Sequence, residues 1–278
     1  MNNLINTLRK IKYNLKRHVY GITAPLRVLP DFIVIGFGKA GTTTLYHYLS
    51  EHPCIMKSSH DHLGFFDSNF KLGLNFYKSF FPSIFSKFFL LYTKKYFMTY
   101  DVTASYIGYP LCAQRIFKTL PKIKLIIICR NPVDVAYSYF YNYPSLRAGL
   151  SFEEAIKKEI KIHENEKKKS KNYPIDLLET SFLARGLYAE QIKIWCDLFP
   201  KNQLLFIKTE ELPQNPIKTF NEIFDFLNLP QYSIQNFEKQ NVSKYTPMKE
   251  ETRKFLNDFY KPHNENFYHL INQQFDWK

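Results

Sequence analysis

The sequence predicts an α/β fold: one domain with a central parallel sheet flanked by helices, opened by a P-loop-like phosphate-binding strand–loop–helix. Three observations predict it. Apolar, strand-like runs alternate with helix-periodic stretches from Asp31 onward, and that alternation implies a parallel sheet with right-handed crossovers. The run Lys124-Leu-Ile-Ile-Ile-Cys129 is apolar throughout rather than alternating, as a central strand covered on both faces should be. The first apolar run ends in Gly36 and is followed by a glycine-bearing turn and a helical pattern.

Each element follows in order. Residues 1–30 form a separate N-terminal segment. Leu4, Leu8, Ile11 and Leu15 recur there at helical spacing among Arg9, Lys10, Lys12, Lys16 and Arg17. Such a basic amphipathic stretch has two readings: peripheral contact with an anionic membrane through residues 1–20, or packing on the domain's own surface. Pro25 and Pro30 mark the junction, and residues 31–278 make up the domain. Strands are expected at 32–36, 97–101, 123–129 and 203–207, each rich in Ile, Val, Leu, Phe or Tyr. Helices are expected at 42–51, 132–142, 151–166, 179–199, 214–227 and 249–259. The Lys/Glu-rich stretch 156–171 reads as a solvated helix and its exit.

The chain has 278 residues, of which 45% are hydrophobic and 17% aromatic, so a large core is available. Its formal net charge of +13 predicts an anionic partner: a nucleotide, an acidic glycan, anionic lipid or nucleic acid. No nucleic-acid-binding motif accompanies the charge, so nucleic acid is not the expected partner. Cys54, Cys112, Cys129 and Cys196 have neither metal spacing nor a CxxC pair, which favours free thiols and a reducing, cytoplasmic compartment. No apolar run is long enough to span a bilayer, and the N-terminus lacks the apolar core of a signal peptide. The sequence sets no oligomeric state.

The chemistry concentrates in two places. The first is Gly36-Phe-Gly-Lys-Ala-Gly-Thr-Thr-Thr44. A strand, a glycine turn and a helix start aim unpaired backbone N–H groups at an anion. A nucleoside-triphosphate loop reads G-x-x-x-x-G-K-[ST], with lysine after the second glycine. Gly36 and Gly41 have that spacing, but Thr42 and Thr43 follow, and the lysine, Lys39, lies inside the loop. A phosphate cradle with a displaced lysine argues for a phosphorylated nucleotide other than ATP.

The second is Cys129-Arg130-Asn131-Pro132, with Ser138 two turns into the next helix. Arg130 falls at the carboxyl end of a buried strand, where open α/β sheets bind ligands. Its guanidinium offers a rigid fork for phosphate oxygens, and Pro132 suits the first turn of a helix. Arg130 could equally pair with Asp134, and Ser138 could be a small packing residue.

Together these motifs resemble the sulfotransferase superfamily, which transfers a sulfuryl group from 3′-phosphoadenosine 5′-phosphosulfate (PAPS). The similarity is closest to the heparan sulfate N- and 3-O-sulfotransferase branch. Phe65-Phe66-Asp67 and the segment from Leu74 to Pro82 resemble that branch's FF(D/N) segment, and Asp101-Val-Thr-Ala-Ser-Tyr106 its E-K-[ST]-[PA]-x-Y strand end. Gly186-Leu-Tyr188 with Trp195 and Phe199 resembles its G-x-Y helix, and Ser243-Lys-Tyr-Thr-Pro-Met248 its nucleotide-covering loop. The resemblance implies PAPS as donor, no metal, and a carbohydrate or other small acceptor.

It also implies roles. Lys39 would meet the bridging oxygen as the 5′-phosphate departs. Ala40, Gly41, Thr42, Thr43 and Thr44 would hold that phosphate, Arg130 and Ser138 the 3′-phosphate, and Ser243, Lys244 and Tyr245 would cover the nucleotide. The branch's base is a glutamate three residues before the FF pair, and here that position is His62. Histidine is chemically suited to the task, with Asp61 and Asp101 as the alternative bases. Val102 stands where the branch often has a lysine.

Overall fold

Strands β1 (Phe32–Gly36), β2 (Ile55–Lys57), β3 (Met98–Val102), β4 (Lys124–Cys129) and β5 (Leu204–Lys208) form one sheet in the order β2-β3-β1-β4-β5. All its pairings are parallel, with Phe32 opposite Tyr100 on one side and Lys124 on the other. The computed structural model describes residues 21–147, 149–169, 181–234, 237 and 246–277. The α-helices among these residues are α1 (Thr42–Leu49), α2 (Gly73–Lys78), α3 (Ile84–Lys94), α4 (Pro110–Thr119), α5 (Pro132–Asn142), α6 (Phe152–Lys169), α7 (Tyr188–Leu198), α8 (Glu211–Gln214), α9 (Pro216–Leu227) and α10 (Glu250–Ile271).

The period of two along the strands divides the core. Ile33, Ile35, Leu125 and Ile127 face one layer, where Ile116 of α4, Ile192 and Trp195 of α7, and Phe267 of α10 pack. Phe32, Val34, Ile126 and Ile128 face the other, against Leu45 and Leu49 of α1 and Phe220, Ile223 and Phe224 of α9. Every residue of β1 is buried, so the central strand is fully covered, as its unbroken apolar run requires. Ala24 is buried and Val28 and Leu29 lie against the core, so residues 24–29 pack on the domain; the amphipathic stretch expected at 1–20 lies outside the described residues.

The elements expected from periodicity are present, with shifted bounds. The stretch expected as a helix from 179 has a short 3-10 turn at Ala184–Gly186 and becomes α-helical only at Tyr188. A Cβ on Gly186 would lie 2.7 Å from both Pro132 Cβ and the Tyr260 ring, so close packing there governs the local path. The last helix runs through Pro262 to Ile271, because Asn264, Phe267 and Tyr268 continue its buried face. Strand β2 and helices α2, α3, α4 and α8 lie outside the stretches expected from periodicity. No helix among the described residues is long and apolar enough to cross a membrane, and the four cysteines are free.

Candidate active site

The loop after β1 is shaped by contacts that only glycine permits. A Cβ on Gly36 would sit 2.5 Å from Ile128 Cγ2 and 2.7 Å from the Ile128 carbonyl oxygen. One on Gly38 would fall 1.8 Å from Tyr139 Oη. The chain then turns through two left-handed residues, Lys39 (φ 64°) and Gly41 (φ 97°), before α1 begins. The second suits glycine; the first is unusual for a lysine and fixes where its side chain departs. No side chain caps α1. Its first-turn amides, at 42–44, lack acceptors within the helix and are free for an incoming anion. The loop's carbonyls are held from behind: Arg130 Nη1 donates to the Lys39 oxygen at 3.0 Å, and Thr209 Oγ1 donates to that of Ala40.

The end of β4 is equally fixed. Asn131 Oδ1 accepts the Val133 N–H at 2.9 Å as the cap of α5, with Pro132 in its first turn. Tyr188 Oη donates to the Arg130 carbonyl at 2.6 Å. Asp134 pairs with Arg253 at 2.6 Å, not with Arg130, which leaves the Arg130 fork turned to the loop. Ser138 is buried, and its Oγ and carbonyl accept from Asn142 Nδ2.

One cleft of about 1110 Å³ gathers these groups: Lys39, Gly41, Thr42, Thr43, Thr44, Arg130 and Ser138 all line it, together with His62. Burial, and then the nearby Arg130 charge, lowers the Lys39 pKa from its ordinary value. The lysine therefore holds its proton less tightly than a surface lysine. Ala40 is fully buried and is not among the residues that line the cleft. Arg185 and Thr209 also line the cleft, and neither was anticipated. The Arg185 guanidinium lies 4.1 Å from the Tyr139 ring centroid and donates to its hydroxyl at 3.1 Å. Its signal was its place directly before Gly186-Leu-Tyr188; that of Thr209 was its place at the carboxyl end of β5, on the same sheet edge as Arg130.

His62, which also lines the cleft, is exposed, in a left-handed conformation (φ 53°), and its N–H donates to the Val102 carbonyl at 2.7 Å. Asp61 does not line the cleft; it lies 4.0 Å from His62 Nε2 and accepts from Thr43 Oγ1 at 3.3 Å, tying the His62 segment to the loop after β1. The structure does not bring Asp101 to the cleft. It is fully buried and accepts from Tyr77 Oη at 2.9 Å, Tyr106 Oη at 3.1 Å and Thr103 Oγ1 at 2.8 Å. Tyr106 Oη in turn accepts the N–H groups of Phe65 and Phe66 at 2.8 and 3.3 Å. Asp101 thus anchors the turn that follows His62. Ser243, Lys244 and Tyr245 lie outside the described residues.

Burial pushes the Asp101 pKa up to about 6 against the pull of its three hydroxyl donors. A raised carboxyl pKa contributes stability that is complete below about pH 4 and is lost as pH rises through about 6. Asp101→Asn, which cannot ionise, should lose less stability between pH 4 and 7 than the native chain in urea unfolding. Parallel stability curves across that window would show that Asp101 does not titrate there.

A phosphate loop on the central strand, with a fixed arginine at the end of the neighbouring strand, defines a class: α/β proteins that hold a phosphorylated ligand at the carboxyl edge of the sheet. The sulfotransferase domain family matches residues 29–270, and the chain belongs to that family, whose members are transferases of sulfur-containing groups. It is 28% identical over 348 aligned positions to the membrane-associated sulfotransferase kil1 of Dictyostelium discoideum, spanning 99% of this chain and 73% of that one. It is 29% identical to the human bifunctional heparan sulfate N-deacetylase/N-sulfotransferase 3, over 88% of this chain but 30% of that longer protein. A sulfotransferase crystal structure from Alicyclobacillus acidocaldarius matches 89% of this chain and 98% of its own, at 26% identity and a TM-score of 0.63. The resemblance read from the motifs is borne out.

Proposed function

We propose that the protein transfers the sulfuryl group of PAPS to a hydroxyl or amine of a carbohydrate acceptor. The observation that carries this reading is the single cleft in which Lys39, the α1 amides, Arg130 and Ser138 converge. The fit to such a donor is chemical. Helix-start amides and the threonine hydroxyls suit one phosphate, and an arginine with a neighbouring serine suits another. In this reading Thr42, Thr43 and Thr44 hold the 5′-phosphate, and Lys39 neutralises the charge that builds on its bridging oxygen as the sulfur–oxygen bond breaks. Arg130 and Ser138 hold the 3′-phosphate. His62 accepts the acceptor's proton as the new bond to sulfur forms; Asp61 stands beside it to orient the ring. Ser243, Lys244 and Tyr245 cover the bound nucleotide.

The acceptor class follows the relatives named as heparan sulfate sulfotransferases. The Dictyostelium relative is called membrane-associated, and for this chain residues 1–20 supply a basic segment for peripheral contact. No metal enters the proposed reaction.

A kinase-like phosphotransferase would use the same loop with ATP and Mg²⁺, and a non-catalytic anion binder would use it without turnover. Thermal unfolding separates them. Adenosine 3′,5′-bisphosphate should raise the melting temperature strongly by linkage, while ATP with Mg²⁺ should leave it nearly unchanged. Equal stabilisation by both, or by neither, would refute the donor assignment; stabilisation without sulfuryl turnover on a panel of glycan acceptors would leave a binding module.

A further inference from the structure

Helix α3 carries its apolar face outward. Phe85, Phe88, Phe89 and Tyr92 recur at i, i+3, i+4 and i+7, so they share one face; they are 67, 61, 66 and 90% exposed. The helix has no buried residue. Ile84 and Leu91 widen the row, and Tyr96 follows it, also exposed. Single exposed rings are ordinary on a protein surface, whereas a contiguous row of them marks an interaction site. The helix itself is firmly made. Ser83 Oγ caps it by accepting the Ser86 N–H at 3.2 Å. On the inner side the Lys87 ammonium stands 5.7 Å from the Phe97 ring centroid.

The segment that carries this row is basic, and the acid that reaches the helix, Asp31, does so at Lys87 on the inner side. Residues 68–100 contain no aspartate or glutamate but include Lys71, Lys78, Lys87, Lys94 and Lys95. Residues 1–30 also lack acids and carry Arg9, Lys10, Lys12, Lys16, Arg17 and Arg27. The two acid-free stretches meet at the start of α3: Arg27 forms a β-bridge with Ser83, and the Val28 N–H donates to the Pro82 carbonyl at 3.1 Å. Just upstream, Ile22 and Leu26 are exposed as well.

We propose that this face docks the domain on an anionic lipid bilayer, with the α3 rings at the boundary between headgroups and acyl chains and the exposed Lys94 and Lys95 on the headgroup phosphates. The charge pattern selects the occupant. A second copy of the chain would press these lysines against their own equivalents, and residues 1–20, as an internal cover, carry the same sign as the face. A bilayer with an anionic surface and an apolar interior satisfies both features. Phe and Tyr rings settle at that depth, lysine stems extend along apolar surface to keep their charge in water, and nearby cations add attraction to acidic lipid. None of the α3 residues lines the cleft, so this surface does not depend on the catalytic reading.

Flotation of the full chain with phosphatidylcholine vesicles, with and without phosphatidylserine, tests the proposal. The native chain should bind the phosphatidylserine vesicles and release in high salt. Phe88→Asp combined with Phe89→Asp should weaken binding by about tenfold or more, while stabilisation by adenosine 3′,5′-bisphosphate stays as in the native chain. Undiminished binding by this variant would overturn the proposal by assigning the contact to residues 1–20 alone. So would equal binding to uncharged vesicles, no binding by the native chain, or a native dimer that the same substitutions dissolve. A chain that binds acidic vesicles through α3 but gains no stability from the bisphosphate would uphold this surface while the donor assignment failed.

Discussion

Lys39→Ala is expected to lower sulfuryl turnover by about 10²–10³-fold at saturating donor, the loss that follows removal of one preorganised charge donor at a developing oxyanion. The fold should survive, because the loop's backbone is held by Arg130, Thr209 and the contacts of Gly36 and Gly38 rather than by the lysine side chain. Lys39→Arg should not restore activity: a planar fork cannot take the place of a compact ammonium leaving a left-handed backbone position. The lowered Lys39 pKa has a signed consequence. Turnover that needs the protonated amine should fall on the alkaline side sooner than an ordinary lysine would allow, and binding of the bisphosphate should weaken in the same direction. Rapid-quench turnover across pH, beside melting curves of the variant, measures both. A variant within tenfold of native turnover would remove Lys39 from the chemistry.

His62→Ala should reduce kcat by about 10²–10⁴-fold, the range a positioned general base supplies, with little change in donor affinity because in the proposed reading His62 meets the acceptor and not the nucleotide. His62→Glu separates a base from a merely structural residue. It should recover much of the lost turnover, because a carboxylate at the same place can still take the acceptor's proton. If both variants turn over like the native chain, the proton goes elsewhere, and Asp61, bonded to Thr43 at 3.3 Å, becomes the residue to replace.

That Lys39, Thr42–Thr44, Arg130 and Ser138 share one cleft was legible because the two motifs are each nearly consecutive in sequence. The spacing of Gly36, Lys39 and Gly41, and of Arg130 and Ser138, is local, and strands β1 and β4 are long enough for their apolar runs to stand out. Asp101 was misleading for a physical reason: its carboxylate ends a strand beside the site, yet three hydroxyls fold over it from Tyr77, Thr103 and Tyr106. Those partners are close only in space. Strand β2 escaped notice because it is three residues of an edge strand, too short to show a period. Helix α3 escaped because its aromatic row reads as core in any periodicity argument, and only the fold reveals that the row faces outward. Arg185 was visible as a residue but not as a neighbour of Tyr139.

The pairing of β1 has a consequence for how the protein is made. Its residue Phe32 meets Tyr100 on one side and Lys124 on the other, so the first strand synthesised waits for both partners while much of the chain is still being translated. Pairings so distant in sequence form slowly, because the loops between them must close first. The phosphate loop depends on the later partner in particular, since Gly36 rests on Ile128 and the Lys39 carbonyl on Arg130. A nascent chain halted before Arg130 would carry the whole motif and hold no nucleotide; donor binding therefore reports on completed assembly of the sheet.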